Sequence, residues 1–444
     1  MKKLSFVLAM LIIGLTSNSL NAQNGWMITS SREPVQPPPY HIWHTTNGGA
    51  DWSVQYTDNT QGIFNAIQFT DLNNGWVVGQ DGKILKTTNG GSTWTPVTNT
   101  GIGMEHVSNS VFFLNANVGW IGGHASATPP VLLHTVNGGA TWSTQNLPQP
   151  IQTGEELFSI YFVDTNNGWL ASDHGNIAHT ISGGGSGWVL QTNPLGYGES
   201  AWLGKVQFVS PTEGWISAGS GQFLHTTNAG ADWTVVTPFP NDTVGPTPVD
   251  MWWVNQTHGW KINWLGTDLS DLHGAVIYQA TDGGGTWERK VLSTAAGVGG
   301  CQVQFVDENN GWASVGNLSS GNFSILRSTD GGNNWGPIWT SEAKGFFYFF
   351  CFVGAGSGVA ESSINNPITI APNPTHGVFY ITFKNAAAKP KVEIYNVFGG
   401  KVYGASNLKP QASNEINLSK YAKGIYFVKI SGGEKTYTEK IVIQ

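Results

Sequence analysis

Charge is scarce in this chain. Asp, Glu, Lys and Arg together make up 11% of its 444 residues, against roughly 25% in an average soluble protein. Arginine is nearly absent, with only Arg32, Arg289 and Arg327. A net charge of −7 with no basic run lacks the electrostatic footprint of a nucleic-acid binder, so nucleic acid is not expected as a partner. Two cysteines, Cys301 and Cys351, are too few for a disulfide framework. Long apolar runs are missing too. The run from Leu4 to Leu15 is about 12 residues long, where spanning a bilayer takes about 20. Preceded by Lys2 and Lys3 and followed by Leu20, Asn21 and Ala22 before Gln23, it reads as a signal peptide over 1–22. No transmembrane anchor is expected in the mature chain.

Glycine (58) and tryptophan (20) are abundant instead, and both follow a repeat. A Ser or Thr, usually an Asn or Asp, a Gly-rich turn and a Trp recur seven times. The pairs are Asn47 with Trp52, Asn89 with Trp94, Asn137 with Trp142, Asn228 with Trp233, Asp282 with Trp287 and Asp330 with Trp335. In the fourth copy Ser182 replaces the Asx and Trp188 stands one residue further on, so that turn is expected to be distorted. Spacings of 42 to 54 residues suit four-stranded propeller blades. Asn and Gly fit such a turn because both tolerate positive φ.

A second element alternates in phase with the first. Phe69, Phe113, Phe162, Phe208, Trp253 and Phe305 each stand six residues before a Gly-Trp. Gly25 and Trp26 open the mature chain with a Gly-Trp strand that no inner strand precedes. Phe346 to Val353 has inner-strand character, and Phe352 stands six residues before Gly358. The expected fold is all-β: a seven-bladed propeller over 23–361, its first blade completed by the inner strand 346–353, which leaves no free sheet edge. A non-closing array is the alternative.

These motifs resemble the Asp-box, or bacterial neuraminidase, repeat, and with the Gly-Trp element they are most similar to the propellers of photosystem II stability and assembly factors. The resemblance implies that the boxes lie on the outer rim, away from the central channel, so their Asx and Trp residues are structural. After Glu361 tryptophan disappears and lysine becomes frequent. Alternating segments at Val378 to Phe383, Val392 to Tyr395, Ile425 to Ile430 and Lys440 to Ile443 read as a small antiparallel β-sandwich over 362–444. Pro372-Asn373-Pro374 with Gly377, Val392 to Asn396 with Gly399, Lys423 to Lys429 and Lys440 to Val442 resemble the type A sorting domain of the type IX secretion system. That resemblance implies a Bacteroidota-type source, the type IX machinery as a partner, and release or attachment at the cell surface. An ordinary adhesive sandwich is the alternative.

Chemistry is weakly signalled. A sialidase needs three convergent arginines. Here Arg289 and Arg327 belong near outer strands, which argues against that activity. Ligand-binding candidates at the channel mouth are the acids before the inner strands, Glu105, Glu156, Glu199 and Asp250, with Glu155 beside them. His106, Trp202 and Trp252 join them, and Phe64 and Tyr197 are further aromatic faces. Solvated loop charges are the plain reading of the acids. Trp264 and the loop to His273 form an insertion in the longest repeat. His44, His134, His179 and His225 recur just before the box and read as repeat structure rather than as a metal site. No cofactor or metal is expected. Cys301 and Cys351 stand four and one residues before their aromatics on neighbouring inner strands, and this opposite parity points them to different faces, with a disulfide that locks the closure as the alternative. The sequence thus leads to a secreted propeller that binds an unknown protein or glycan. The alternative is a secreted polysaccharide hydrolase or lyase using paired mouth carboxylates.

Overall fold

The computed structural model describes residues 23–30, 39–60, 62–98, 100–103, 106–125, 128–149, 151, 155–185, 187–198, 201–239, 242, 244, 249–267, 271–317, 321–341 and 347–353, then 368–371, 375, 377–383, 391–396, 401–406, 408–409, 413–421, 424–432 and 435–443. The expected signal peptide, Arg32, Glu105, Glu199, Gly358, Pro372 to Pro374, Gly399 and Lys423 lie outside the described residues. The chain forms two compact units, Met1–Gly358 and Val359–Gln444. Among the described residues no helix is long and apolar enough to cross a membrane.

The first unit consists of seven four-stranded antiparallel sheets. Blades 2 to 7 use consecutive strands and begin with Phe64–Phe69, Val107–Phe113, Leu157–Phe162, Leu203–Phe208, Met251–Trp253 and Val298–Phe305. Blade 1 joins Asn24–Ser30, Tyr40–Thr45 and Ser53–Asp58 to Phe347–Val353 from the other end of the unit. Around the ring each first strand packs on the next, and Phe347–Val353 closes the circle between blades 7 and 2.

The spacing of six between aromatic and Gly-Trp has a direct cause. It sets the aromatic opposite the glycine of the adjoining strand, as for Phe69 and Gly75, and the ring lies over that glycine. A Cβ on Gly75, Gly119, Gly168, Gly214, Gly259 or Gly311 would meet the ring at 2.2–2.6 Å. In blade 1 the pair is Phe352 and Gly25, with the same close approach at 2.4 Å.

The neighbouring Trp joins blade to blade. Trp26, Trp76, Trp120, Trp169 and Trp260 stack on Phe69, Phe113, Phe162, Phe208 and Phe305 of the following blade with centroids 3.5 Å apart. Trp215 on Trp253 at 4.5 Å and Trp312 on Phe352 at 3.9 Å complete the ring. Each box Trp meets the aromatic of its own blade edge-on, as Trp94 meets Phe69 at 88°. Such pairs contribute roughly 0.5–1.5 kcal/mol each beyond area burial.

The boxes share one hydrogen-bond pattern. Gly49 N donates to Thr45 Oγ1 and Asp51 N to Asn47 Oδ1, both at 3.0 Å. Thr87 with Asn89, Thr135 with Asn137, Thr226 with Asn228 and Ser328 with Asp330 repeat it. Asp282 Oδ1 accepts from Thr286 N at 2.9 Å. The fourth turn is distorted: Thr180 Oγ1 donates to Gly187 O at 3.0 Å, with Gly187 at φ +118°. The turns also receive the preceding blade. Trp26 Nε1 donates to Gly90 O at 3.1 Å and Trp312 Nε1 to Gly48 O at 2.8 Å. His44, His134, His179 and His225 stack on Trp26, Trp120, Trp169 and Trp215. Burial lowers the pKa of all four imidazoles.

Glutamines add a second seam. Gln304 Nε2 donates to Phe352 O and its Oε1 accepts from Phe352 N, both at 2.8 Å. Gln302 holds Phe350 in the same way, Gln207 holds Trp253, and Gln68 holds Phe113.

The second unit has a three-stranded sheet of Ile368–Ala371, Val378–Phe383 and Ser413–Asn417, and a four-stranded sheet of Lys401–Ala405, Lys391–Asn396, Gly424–Gly432 and Lys435–Ile443. Both sheets contribute to one core, with Phe379, Ile381 and Ile416 from the first and Val392, Val428 and Ile441 from the second. All four strands expected from the sequence lie within these elements.

Candidate functional site

A cavity of about 690 Å³ occupies the middle of the propeller and is bordered by the first strands of all seven blades. Bulges shape its wall. The pairing of first and second strands slips between Phe64 and Ala66, Ser108 and Ser110, Leu157 and Ser159, Leu203 and Val206, and Gly300 and Gln302. An extra residue at such a slip bends the strand and re-aims side chains. Asn109, Phe158, Lys205 and Cys301 lie in these slips, and all four border the cavity.

Cys301 is itself the extra residue of the bulge between Gly300 and Gln302. It packs against the cluster that holds Phe350 and Phe352, Cys351 belongs to the cluster that holds Phe64 and Phe69, and both border the cavity. Neither is in a disulfide. Burial pushes the Cys351 thiol up to about 11.

Asp250 and Trp252 also border the cavity, and Lys205 links them. Lys205 Nζ lies 3.0 Å from Asp250 Oδ1 and 4.2 Å from the centroid of the Trp252 ring. Val303 N donates to Asp250 Oδ2 at 3.1 Å. Both carboxylate oxygens are therefore engaged, by neighbours from blades 5 and 7. Glu156 is not among the residues that border the cavity, but it bonds Asn109, which is one of them. It accepts from Asn109 Nδ2 at 2.8 Å, and His124 Nε2 lies 3.5 Å from its other oxygen. Its pKa is raised, chiefly by burial, with His124 opposing the shift.

The other candidates are less accessible. His106 is 3% exposed, with its Nε2 packed over Gly123, and so presents no face to a ligand. Glu155 is buried and accepts from Ser172 Oγ and Asn176 Nδ2. Phe64 is fully buried, which corrects its reading as a binding face. Trp202 is half-buried, its ring 6.5 Å from that of Phe158. Tyr197 is exposed, but its hydroxyl caps the backbone of its own loop. The insertion lengthens a hairpin, pairing Trp264 with Ala275, and Trp264 and Leu272 border the cavity. Among the described residues no three of His, Cys, Asp or Glu gather as metal ligands would.

Two lysines escaped the sequence reading. Lys205 stands three residues before its aromatic, as Asp250 does, and that shared position was the available signal. Lys261 follows the Gly-Trp of blade 6 and is fully buried. Its Nζ donates to Ala218 O at 3.0 Å and to Gln222 O, and lies over the Phe223 ring.

The family model described as photosynthesis system II assembly factor YCF48 matches residues 50–152 and 148–337. The secretion system C-terminal sorting domain matches residues 369–444. The latter puts the chain on the type IX export route, secreted or attached to the outer cell surface. Among solved structures, YCF48 from Cyanidioschyzon merolae is 21% identical, with 63% of this chain and 85% of that one covered and a TM-score of 0.47. YCF48 bound to D1 peptide is 20% identical, covering 72% and 89%, with a TM-score of 0.48. A putative 6-phosphogluconolactonase from Bacteroides fragilis is 8% identical, covering 75% and 99%, with a TM-score of 0.51, a likeness of fold alone. No curated protein matches the chain. With its repeats matched from residue 50 to 337 and its end from 369 to 444, the chain belongs to the photosynthesis system II assembly factor YCF48 family and carries a C-terminal secretion sorting domain.

Proposed function

We propose that the propeller is an extracellular binding module that holds a protein or glycan partner through the mouth of its central channel. The carrying observation is the 690 Å³ cavity, bordered by every blade and by partly exposed aromatic rings. Its size falls within the usual range for a ligand pocket. The description of the family as assembly factors accords with a protein partner. Binding is favoured over catalysis because Asp250 has both oxygens engaged within the wall. A glycoside hydrolase is the second reading, supported by the burial that raises Glu156, as a general acid requires.

The deciding experiment screens the full-length secreted protein against a glycan array and a panel of polysaccharides, beside a Glu156→Gln, Asp250→Asn double variant. A crosslinked protein partner mapped to the mouth is the expected result, and retention of glycan without turnover would keep the binding reading with a sugar as its ligand. Sugar release that disappears in the double variant would establish the enzyme reading instead.

A further inference from the structure

We propose that the central cavity takes an uncharged, aromatic or aliphatic guest and rejects sugars. This deepens the reading of the channel as the binding site and rests on it. Most of the hydrogen-bonding side chains of the wall are already engaged by backbone or by one another. Gln68, Gln207, Gln302 and Gln304 border the cavity, yet each amide both donates to and accepts from the backbone of the next blade. Ser110 Oγ donates to Leu157 O at 3.0 Å, and Ser159 Oγ accepts from Val206 N at 3.0 Å. The Asn109 amide donates to Glu156 and accepts from Asn65. Asn317 and Asn322 also have partners. Tyr161 enters as a neutral phenol, its pKa pushed up to about 12 by burial.

Charge is cancelled as well. Among the described residues bordering the cavity, Lys205 and Asp250 are the charged ones, and they pair at 3.0 Å. A charged guest would have to break that pair or enter uncompensated. A sugar would bury hydroxyls against groups that have little left to offer. What the wall offers is carbon, from the partly exposed rings of Phe112, Phe158, Trp252 and Phe349. Two sources share that chemistry: a free hydrophobic molecule, and the apolar side chains of a protein partner.

The test uses the full-length protein and two fluorescent probes of similar shape, neutral N-phenyl-1-naphthylamine and anionic 8-anilinonaphthalene-1-sulfonate. The neutral probe should bind one per chain, at least about tenfold more tightly than the anion, and should slow alkylation of Cys301 by N-ethylmaleimide. Asp250→Asn, which leaves Lys205 unbalanced, should narrow or reverse that preference. Phe158→Glu should lose the neutral probe. Phe158→Ser, with folding checked by thermal melting, guards against a variant that merely unfolds. Displacement of the probe by Phe- and Leu-rich peptides but not by free hydrocarbons would assign the source to a protein, and the converse to a small molecule. Equal or tighter binding of the anion by the unaltered protein, or protection of Cys301 by cello- or xylo-oligosaccharides, would overturn the inference and leave the channel as the binding site. Failure of every probe and oligosaccharide to protect Cys301 would overturn both.

Discussion

Lys261 brings an ammonium group out of water between blades 5 and 6 with two carbonyls and an aromatic ring for company. Burial brings its pKa down to about 7 from 10.5. Between those values the unfolded chain holds a proton that the folded chain has released, so stability rises with pH across that window by at most about 1.4 kcal/mol per unit. Below pH 7 both states are protonated and the penalty is complete. Lys261→Met should therefore raise the propeller's melting temperature most at pH 6, with the gain shrinking through pH 8 and 9.5. A gain that stays constant with pH would show that the lysine is not neutralised by burial. Lys261 was invisible in the sequence because a lysine two residues after a blade's glycine reads as solvated; only the packing of blade 5 over it makes it internal.

At the scale of the strand pair, glycine and aromatic act as one unit. Gly168→Ala would place a Cβ 2.2 Å from the Phe162 ring, and forcing that ring aside should cost about 1–3 kcal/mol. Gly336→Ala has nothing within 4 Å and should melt within about 0.5 kcal/mol of the unaltered protein. Equal losses in the two variants, read by denaturant unfolding, would remove the steric account of the repeat. The recurrence of an aromatic with Gly-Trp starting six positions on made this pairing readable, because a register is a spacing. The bulges that turn Asn109, Phe158, Lys205 and Cys301 toward the channel were not readable. A bulge is set by backbone hydrogen bonds on two strands, and no residue type marks it. That is why Asp250 and Trp252 were found at the channel while their partner Lys205 was missed, and why His106 and Phe64 were placed at the surface when the blades bury them.

For the whole molecule, closure depends on one strand. Phe352 stacks on Trp312, covers Gly25 and meets Trp52 edge-on, so Phe352→Ala should cost about 3–5 kcal/mol. It should also expose the ends of the ring to protease before the middle blades. Proteolysis that starts elsewhere would show that closure is not the weak seam. Deleting 369–444 should leave the propeller folded but retained by the cell, as cell fractionation would show; undiminished surface delivery would mean that the address lies elsewhere. The order of these parts along the chain has a consequence for quality control. The strand that completes the circle, Phe347–Val353, comes after every blade, and the sorting domain follows it. A product broken off early lacks both the final strand and the postal address. Only chains finished to the last blade qualify for dispatch, so incomplete rings with a raw sheet edge are kept from the surface by the reading order of the gene itself.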